Sequence, residues 1–251
     1  MIKQIKSFPH RKKRKPKIIF PADSADPEER GYIMGVRKSY EQDLTYLKQE
    51  VLAMGKYVKY AFEQSLLALK INDNQSLTQN IVADDKNINS MELKIMDAAM
   101  LTIAKQQPVA TDLRRCIVAL KMAGDLERMG DIAVDIAKGS ARLSENRSRN
   151  DTDQLTDMAE IAKQMFDQAM EAYENQELMH AQRVASLDDH VDSKYKSFIQ
   201  KQLRQKADEV LLEDITQLSF IGRYIERFAD HTTNLAEWVV YEVNGQHFDL
   251  N

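Results

Sequence analysis

Residues 125–138 read DLERMGDIAVDIAK and residues 224–237 read YIERFADHTTNLAE. Aligned 99 positions apart, the two stretches share Glu127/Glu226, Arg128/Arg227, Asp131/Asp230 and Ala137/Ala236. Three of those four identities are charged. Packing alone would sooner preserve the apolar positions, so the pattern predicts a duplicated chemical feature carried on duplicated helices. Glu127 and Asp131 are four residues apart and so stand on one helix face, one turn from each other. Asp135 extends that row by a turn, and Glu226, Asp230 and Asn234 repeat it.

Working outward, the duplication continues. Met54, Ala61, Phe62, Ala68 and Leu69 align 104 residues on with Met158, Met165, Phe166, Ala172 and Tyr173. Asp85, Ile88 and Asn89 align 103 on with Asp188, Val191 and Asp192, which adds further i, i+4 polar pairs. Between these anchors the apolar residues recur every three to four positions. Tyr40, Leu44, Leu47, Val51, Met54, Val58, Ala61 and Ser65 form one such seam, and Leu77, Ile81, Asp84, Ile88, Met91, Ile95 and Ala98 form a second. A third row, Leu113, Ile117, Leu120, Gly124, Glu127 and Asp131, begins apolar and ends acidic. Asn72 to Asn74 and Gln107-Pro108 mark breaks, residues 142–153 read as a linker, and Gly245 supplies a C-terminal stop. Three further helices are expected near residues 153–177, 178–204 and 207–244. The predicted fold is all-α: two tandem pseudo-symmetric three-helix bundles over residues 36–145 and 153–245, preceded by a basic flexible arm over residues 1–35.

Composition agrees. Only 8 Gly and 5 Pro occur in 251 residues, too few breakers for a many-turned β sandwich. A single cysteine, Cys116, excludes an intrachain disulfide framework and a zinc–thiolate site, and it reads as a packed residue. No uncharged apolar run approaches the ~18 residues of a membrane span, and no apolar segment follows the basic N-terminus as in a secretory signal. A soluble, cytoplasmic protein is expected. Residues 1–17 carry eight basic side chains and no acid, whereas the other 234 residues sum to −12. Two readings of this arm stay open: a solvated tail, or attraction to anionic lipid or nucleic acid. The acidic body disfavours tight nucleic-acid binding outside the arm.

Converging carboxylates pose a definite problem. At ~4 Å and an effective dielectric near 20, each close pair repels by about 4 kcal/mol. Such a cluster must protonate, pair with arginine or bind a cation. Arg128 and Arg227 directly follow their glutamates and so point about 100° away, which makes them poor partners for the same face. If a cation binds, oxygen donors favour a hard ion such as magnesium, manganese or iron, with His231 as one conceivable nitrogen donor. A carboxylate-bridged di-iron-like enzyme is the alternative. It is disfavoured because only one Glu-x-x-His, Glu177 to His180, is present.

The blocks 107–114 (QPVATDLR), 125–131 (DLERMGD) and 223–231 (RYIERFADH), with Lys121, Asn234 and Ala236-Glu237, resemble those of the PhoU family of phosphate-uptake regulators, over about Arg37 to Gly245. The resemblance implies a pair of three-helix bundles and metal-binding Glu/Asp-x-x-x-Asp motifs. Those motifs fall on Glu127/Asp131 and Glu226/Asp230, with Asp85, Asp188 and Asp192 from the neighbouring helices; Asp135 is added to the first row by its spacing alone. Asn89 stands where an acid is common in the family. Divalent or trivalent ions (iron, manganese, magnesium or zinc) are the implied cofactors. The implied role is not enzymatic: it is an adaptor and negative regulator, between the ATPase of a phosphate ABC transporter and a sensor histidine kinase. A homodimer is implied as well. The basic arm is a departure from the family pattern and would suit peripheral attachment at the inner face of the membrane.

Overall fold

The computed structural model describes the backbone over residues 27–205 and 209–248, and side chains from Tyr40 on, apart from residues 206–211 and the last three. Six helices follow one another: α1 Pro27–Lys70, α2 Gln75–Gln106, α3 Thr111–Ser140, α4 Arg149–Asn175, α5 Leu178–Gln202 and α6 Glu209–Asn244. There is no strand among the described residues. The all-α architecture with two consecutive sets of three helices is therefore as the sequence predicts. Contacts divide the chain after Ser39, and the description below concerns the unit from Tyr40 onward. The flexible-arm reading of residues 1–26 lies outside the described residues.

Two boundaries differ from the sequence reading. Helix α1 begins at Pro27, inside the segment assigned to the arm. Proline is well suited to a first helical position, since its fixed φ is already helical and its missing N–H would be unpaired there anyway. Helix α4 begins at Arg149, inside the presumed linker, because Ser148 accepts a hydrogen bond from the Asp151 N–H and so caps it. The other punctuation is as expected. Asn74 donates its side-chain amide to the Ala68 carbonyl at the end of α1. Gln107 turns left-handed before Pro108, and Gly245 does the same after α6, with φ of 72°.

One hydrophobic cluster draws on all six helices. Within each half α2 packs on α3, and α4, α5 and α6 pack on one another; the halves meet along α3 and α6. Phe228 of α6 stacks on Phe62 of α1 at 3.8 Å between centroids and lies tilted 5.7 Å from Phe166 of α4. Phe62 and Phe166 are repeat-related, so both halves place the same side chain at the shared centre. Val51, Met54 and Val58 are fully buried, as the first seam requires. Asp84, by contrast, is exposed; the inward row on α2 passes instead through Ile81, Ile88 and Ile95. Cys116 is fully buried and its thiol is pushed up to about 11, chiefly by desolvation, which suits a packing role.

Candidate metal centre

The third row, from Leu113 to Asp131, is not the core seam of α3. Its members are half-buried, with Asp131 exposed, while Cys116, Ala119, Ala123, Leu126 and Ala133 face the interior. The row runs along the rim where α3 meets α2. This explains how it changes from apolar to acidic without burying bare charge in the core.

On the rim between α5 and α6, three carboxylates converge. Asp192 from α5 and Glu226 and Asp230 from α6 each offer an oxygen, all within 4.8 Å of one another; no other such set of three occurs among the described residues. Asp188, one turn before Asp192, is 9% exposed, and its Oδ1 is buried without a hydrogen-bond partner. Desolvation pushes the Asp188 carboxyl up to about 6, helped by the nearby charges of Asp192 and Asp230 and opposed by a hydrogen bond from Thr233. Glu226 is pushed up to about 7, again mainly by desolvation and then by Asp230. Asp230 is raised for the same leading reason. These groups resist ionising together and retain an unused buried oxygen.

The opposite rim, between α2 and α3, repeats the theme with less convergence. Asp85 is raised by burial and then by Asp131; Glu127 is raised by burial, then by Asp131, Glu92 and Asp85. Gly130 permits this approach, since a Cβ there would lie 3.4 Å from Asp85 Oδ1 and 3.0 Å from Ile88 Cδ1. Asn89 donates its amide to Asp85 Oδ2 at 3.2 Å, and Asp85 Oδ1 and Asn89 Oδ1 are both buried without partners. Asp135 sits among Lys138, Arg227 and Arg142, with Asp131 also close, and its carboxyl is raised mainly by burial.

The neighbours of the rims take partners that the sequence reading did not name, although Arg128 turns away from the Glu127/Asp131 face as that reading expects. His231 Nδ1 does not join the rim carboxylates of α5 and α6: it is 3.1 Å from Asp125 Oδ1 across the α3–α6 seam, where Asn234 and Trp238 also bond. Arg128 lies 3.7 Å from that same Asp125. The arginine that pairs with a rim carboxylate is Arg223, which bonds Glu226 from three residues upstream. Arg223–Glu226 and Asp125–Arg128 share an i, i+3 spacing that was visible in the sequence; Glu92, seven residues after Asp85, was visible too. His180 is engaged by Gln168, Glu177 and Glu171, so the lone Glu-x-x-His supplies its nitrogen to these partners.

The donor set fits a hard cation. It is all oxygen, it spans two helices, and it contains a buried oxygen that has no hydrogen-bond partner among the described residues. No helix among the described residues is long and apolar enough to cross a membrane.

Comparison with known proteins agrees with this architecture. The family model for the PhoU domain matches twice, over residues 51–139 and 155–239. The phosphate-specific transport system accessory protein PhoU homolog of Clostridium acetobutylicum is 35% identical over 217 residues, covering 86% of this chain and 99% of that protein. Its Streptococcus pneumoniae counterpart is 31% identical over 86% of this chain and its own full length. Two crystal structures are similar at TM-score 0.78. The phosphate transport system regulatory protein PhoU from Streptococcus pneumoniae has 28% identity and covers 84% of this chain and 99% of its own. PhoU from Pseudomonas aeruginosa has 29% identity and covers 82% and 100%. With the family model matched in both halves and full-length relatives above 30% identity, this chain belongs to the PhoU family.

Proposed function

We propose that this protein is a metal-binding regulatory accessory of a phosphate-specific transport system. In this reading it acts as an adaptor, restraining uptake and starvation signalling when phosphate is plentiful. The observation that carries the metal assignment is the convergence of Asp192, Glu226 and Asp230 beside the unsatisfied Oδ1 of Asp188. The names of the relatives support the transport role.

The residues themselves do the work of the site. Asp188 and Asp192 reach from α5, and Glu226 and Asp230 from α6, so a ligand shared by all four joins the two helices. A bound hard cation supplies the positive charge that lets these carboxylates ionise together. The α2/α3 rim offers Asp85, Glu127 and Asp131 in the same way. Protein partners are the transporter ATPase and a sensor kinase, met by a homodimer in the cytoplasm. The eight basic side chains of residues 1–17 suit attraction to an anionic membrane face, each worth about 1 kcal/mol near the surface.

Two measurements test this. Metal content of the purified chain should fall when Asp192, Glu226 and Asp230 are replaced by their amides. Unchanged metal content removes the site assignment. Pull-down from membranes of phosphate-rich and phosphate-poor cells should recover the transporter or the kinase; recovery of neither in both conditions removes the adaptor role.

A further inference from the structure

We propose that the two rims are unequal and fill in order, with a divalent cation occupying the α5/α6 rim before the α2/α3 rim. This rests on the metal-binding reading above and concerns the division of labour between the repeats.

The difference lies at one repeat-related position. Asp192 in α5 corresponds to Asn89 in α2. On the α5/α6 rim, Asp192 completes the set of three ligand oxygens within 4.8 Å, and Asp188 holds a fourth, buried and unpartnered oxygen. On the α2/α3 rim, no three such residues come equally close among the described residues. An amide contributes a neutral oxygen where a carboxylate contributes a charge. The Asn89 amide also spends its N–H on Asp85 Oδ2 at 3.2 Å, so one oxygen of the neighbouring ligand is already engaged. A cation using Asp85 fully must break that bond and turn a half-buried side chain.

Two features act the other way and are the smaller. Glu92 adds negative charge near Glu127, yet it approaches over Gly124, where a Cβ would lie 3.9 Å from its Oε1, and it does not join Asp85 and Asp131 in a tight set. Arg223 holds Glu226, but its side chain is 49% exposed and can swing into water when a cation arrives, since exposed ion pairs are weak. The α5/α6 rim therefore has the greater charge count within reach of one ion and the smaller rearrangement.

The test is a manganese(II) titration of the full-length chain, with free ion followed by electron paramagnetic resonance. Wild type should show a tight class of one ion per chain and a second class weaker by roughly tenfold or more, since ligand charge count sets affinity at oxygen sites. D192N, at an exposed position, should lose the tight class and keep the weaker one. N89D should tighten the weaker class to within about threefold of the first. Two equal classes in wild type, or isotherms unchanged in both variants, would overturn the ordering while leaving the metal-binding reading in place. Absence of manganese binding to wild type would remove that reading as well.

Discussion

His231 Nδ1 of α6 lies 3.1 Å from Asp125 Oδ1 of α3, and Trp238 Nε1 donates to the other oxygen of the same carboxylate at 3.0 Å. Asp125 is 5% exposed, so its charge is held almost wholly by these partners, with Asn234 and Arg128 at longer range. The bond spans the seam between the repeats. It starts two residues before Glu127 on one rim and ends one residue after Asp230 on the other. The two acidic rims are thus tied to a common buried anchor, and a shift of α6 relative to α3 cannot leave it undisturbed.

Replacing Asp125 by alanine should destabilise the protein by about 3 kcal/mol, because it strands the donors of His231 and Trp238 in a buried seam. Trp238 is the single tryptophan. Denaturant unfolding followed by its fluorescence reports both stability and the loss of the indole hydrogen bond. A D125A curve superimposed on wild type would show that the seam does not depend on this carboxylate.

The helices and the rim acids were legible because both are local signals. A period of three to four and an i, i+4 acid pair need only a dozen residues to be seen. The Asp125 anchor was not legible, since His231 and Trp238 are 106 and 113 residues away in sequence. The α3 core row was masked for a different reason: it is built partly from Ala119, Ala123 and Ala133, which carry little hydropathy contrast, while larger residues such as Leu113 and Ile117 occupy its half-buried flank. The early start of α4 was hidden because a capping serine and an Asn/Asp-rich loop look alike until the N–H of Asp151 is seen bonded to Ser148.

Ala110, which precedes α3, has φ of 49° and ψ of −111°, a conformation that L-residues disfavour and glycine tolerates. Strain of this kind costs about 1–3 kcal/mol, partly offset on substitution by the larger chain entropy of unfolded glycine. A110G should therefore be stabilising by about 1 kcal/mol, raising the melting temperature by about 2–4 °C for a chain of this size. A fall in melting temperature would show that the Ala110 methyl makes a contact worth more than the strain.

Arg223 competes with any cation for Glu226. R223Q should tighten manganese binding at the α5/α6 rim by about two- to fivefold at low salt, as loss of a weak exposed pair requires, and by less at high salt, where the arginine charge is screened. Isothermal calorimetry at two ionic strengths checks both parts. Weaker binding in R223Q would mean that the arginine orients Glu226 for the ion rather than opposing it.

Protons occupy the same acids, and the sign of the effect can be worked out. Asp188 and Glu226 hold their protons up to about 6 and about 7, above ordinary values of 3.8 and 4.5, chiefly because they are desolvated. Between about pH 4 and about pH 7 the folded chain therefore binds more protons than the unfolded chain, and stability falls as pH rises through that window. Asp151 has the opposite shift, toward lower values, but its contribution changes only below the ordinary carboxylate range and leaves this window untouched. In the presence of a chelator, urea unfolding should show a loss of a few kcal/mol from about pH 4.5 to about pH 7.5. Added manganese should restore stability at the upper end, where the carboxylates are ionised, and do little at the lower end, where protons displace it. A flat chelator profile would mean that the rim acids ionise freely, and a manganese effect equal at both ends would place the ion elsewhere.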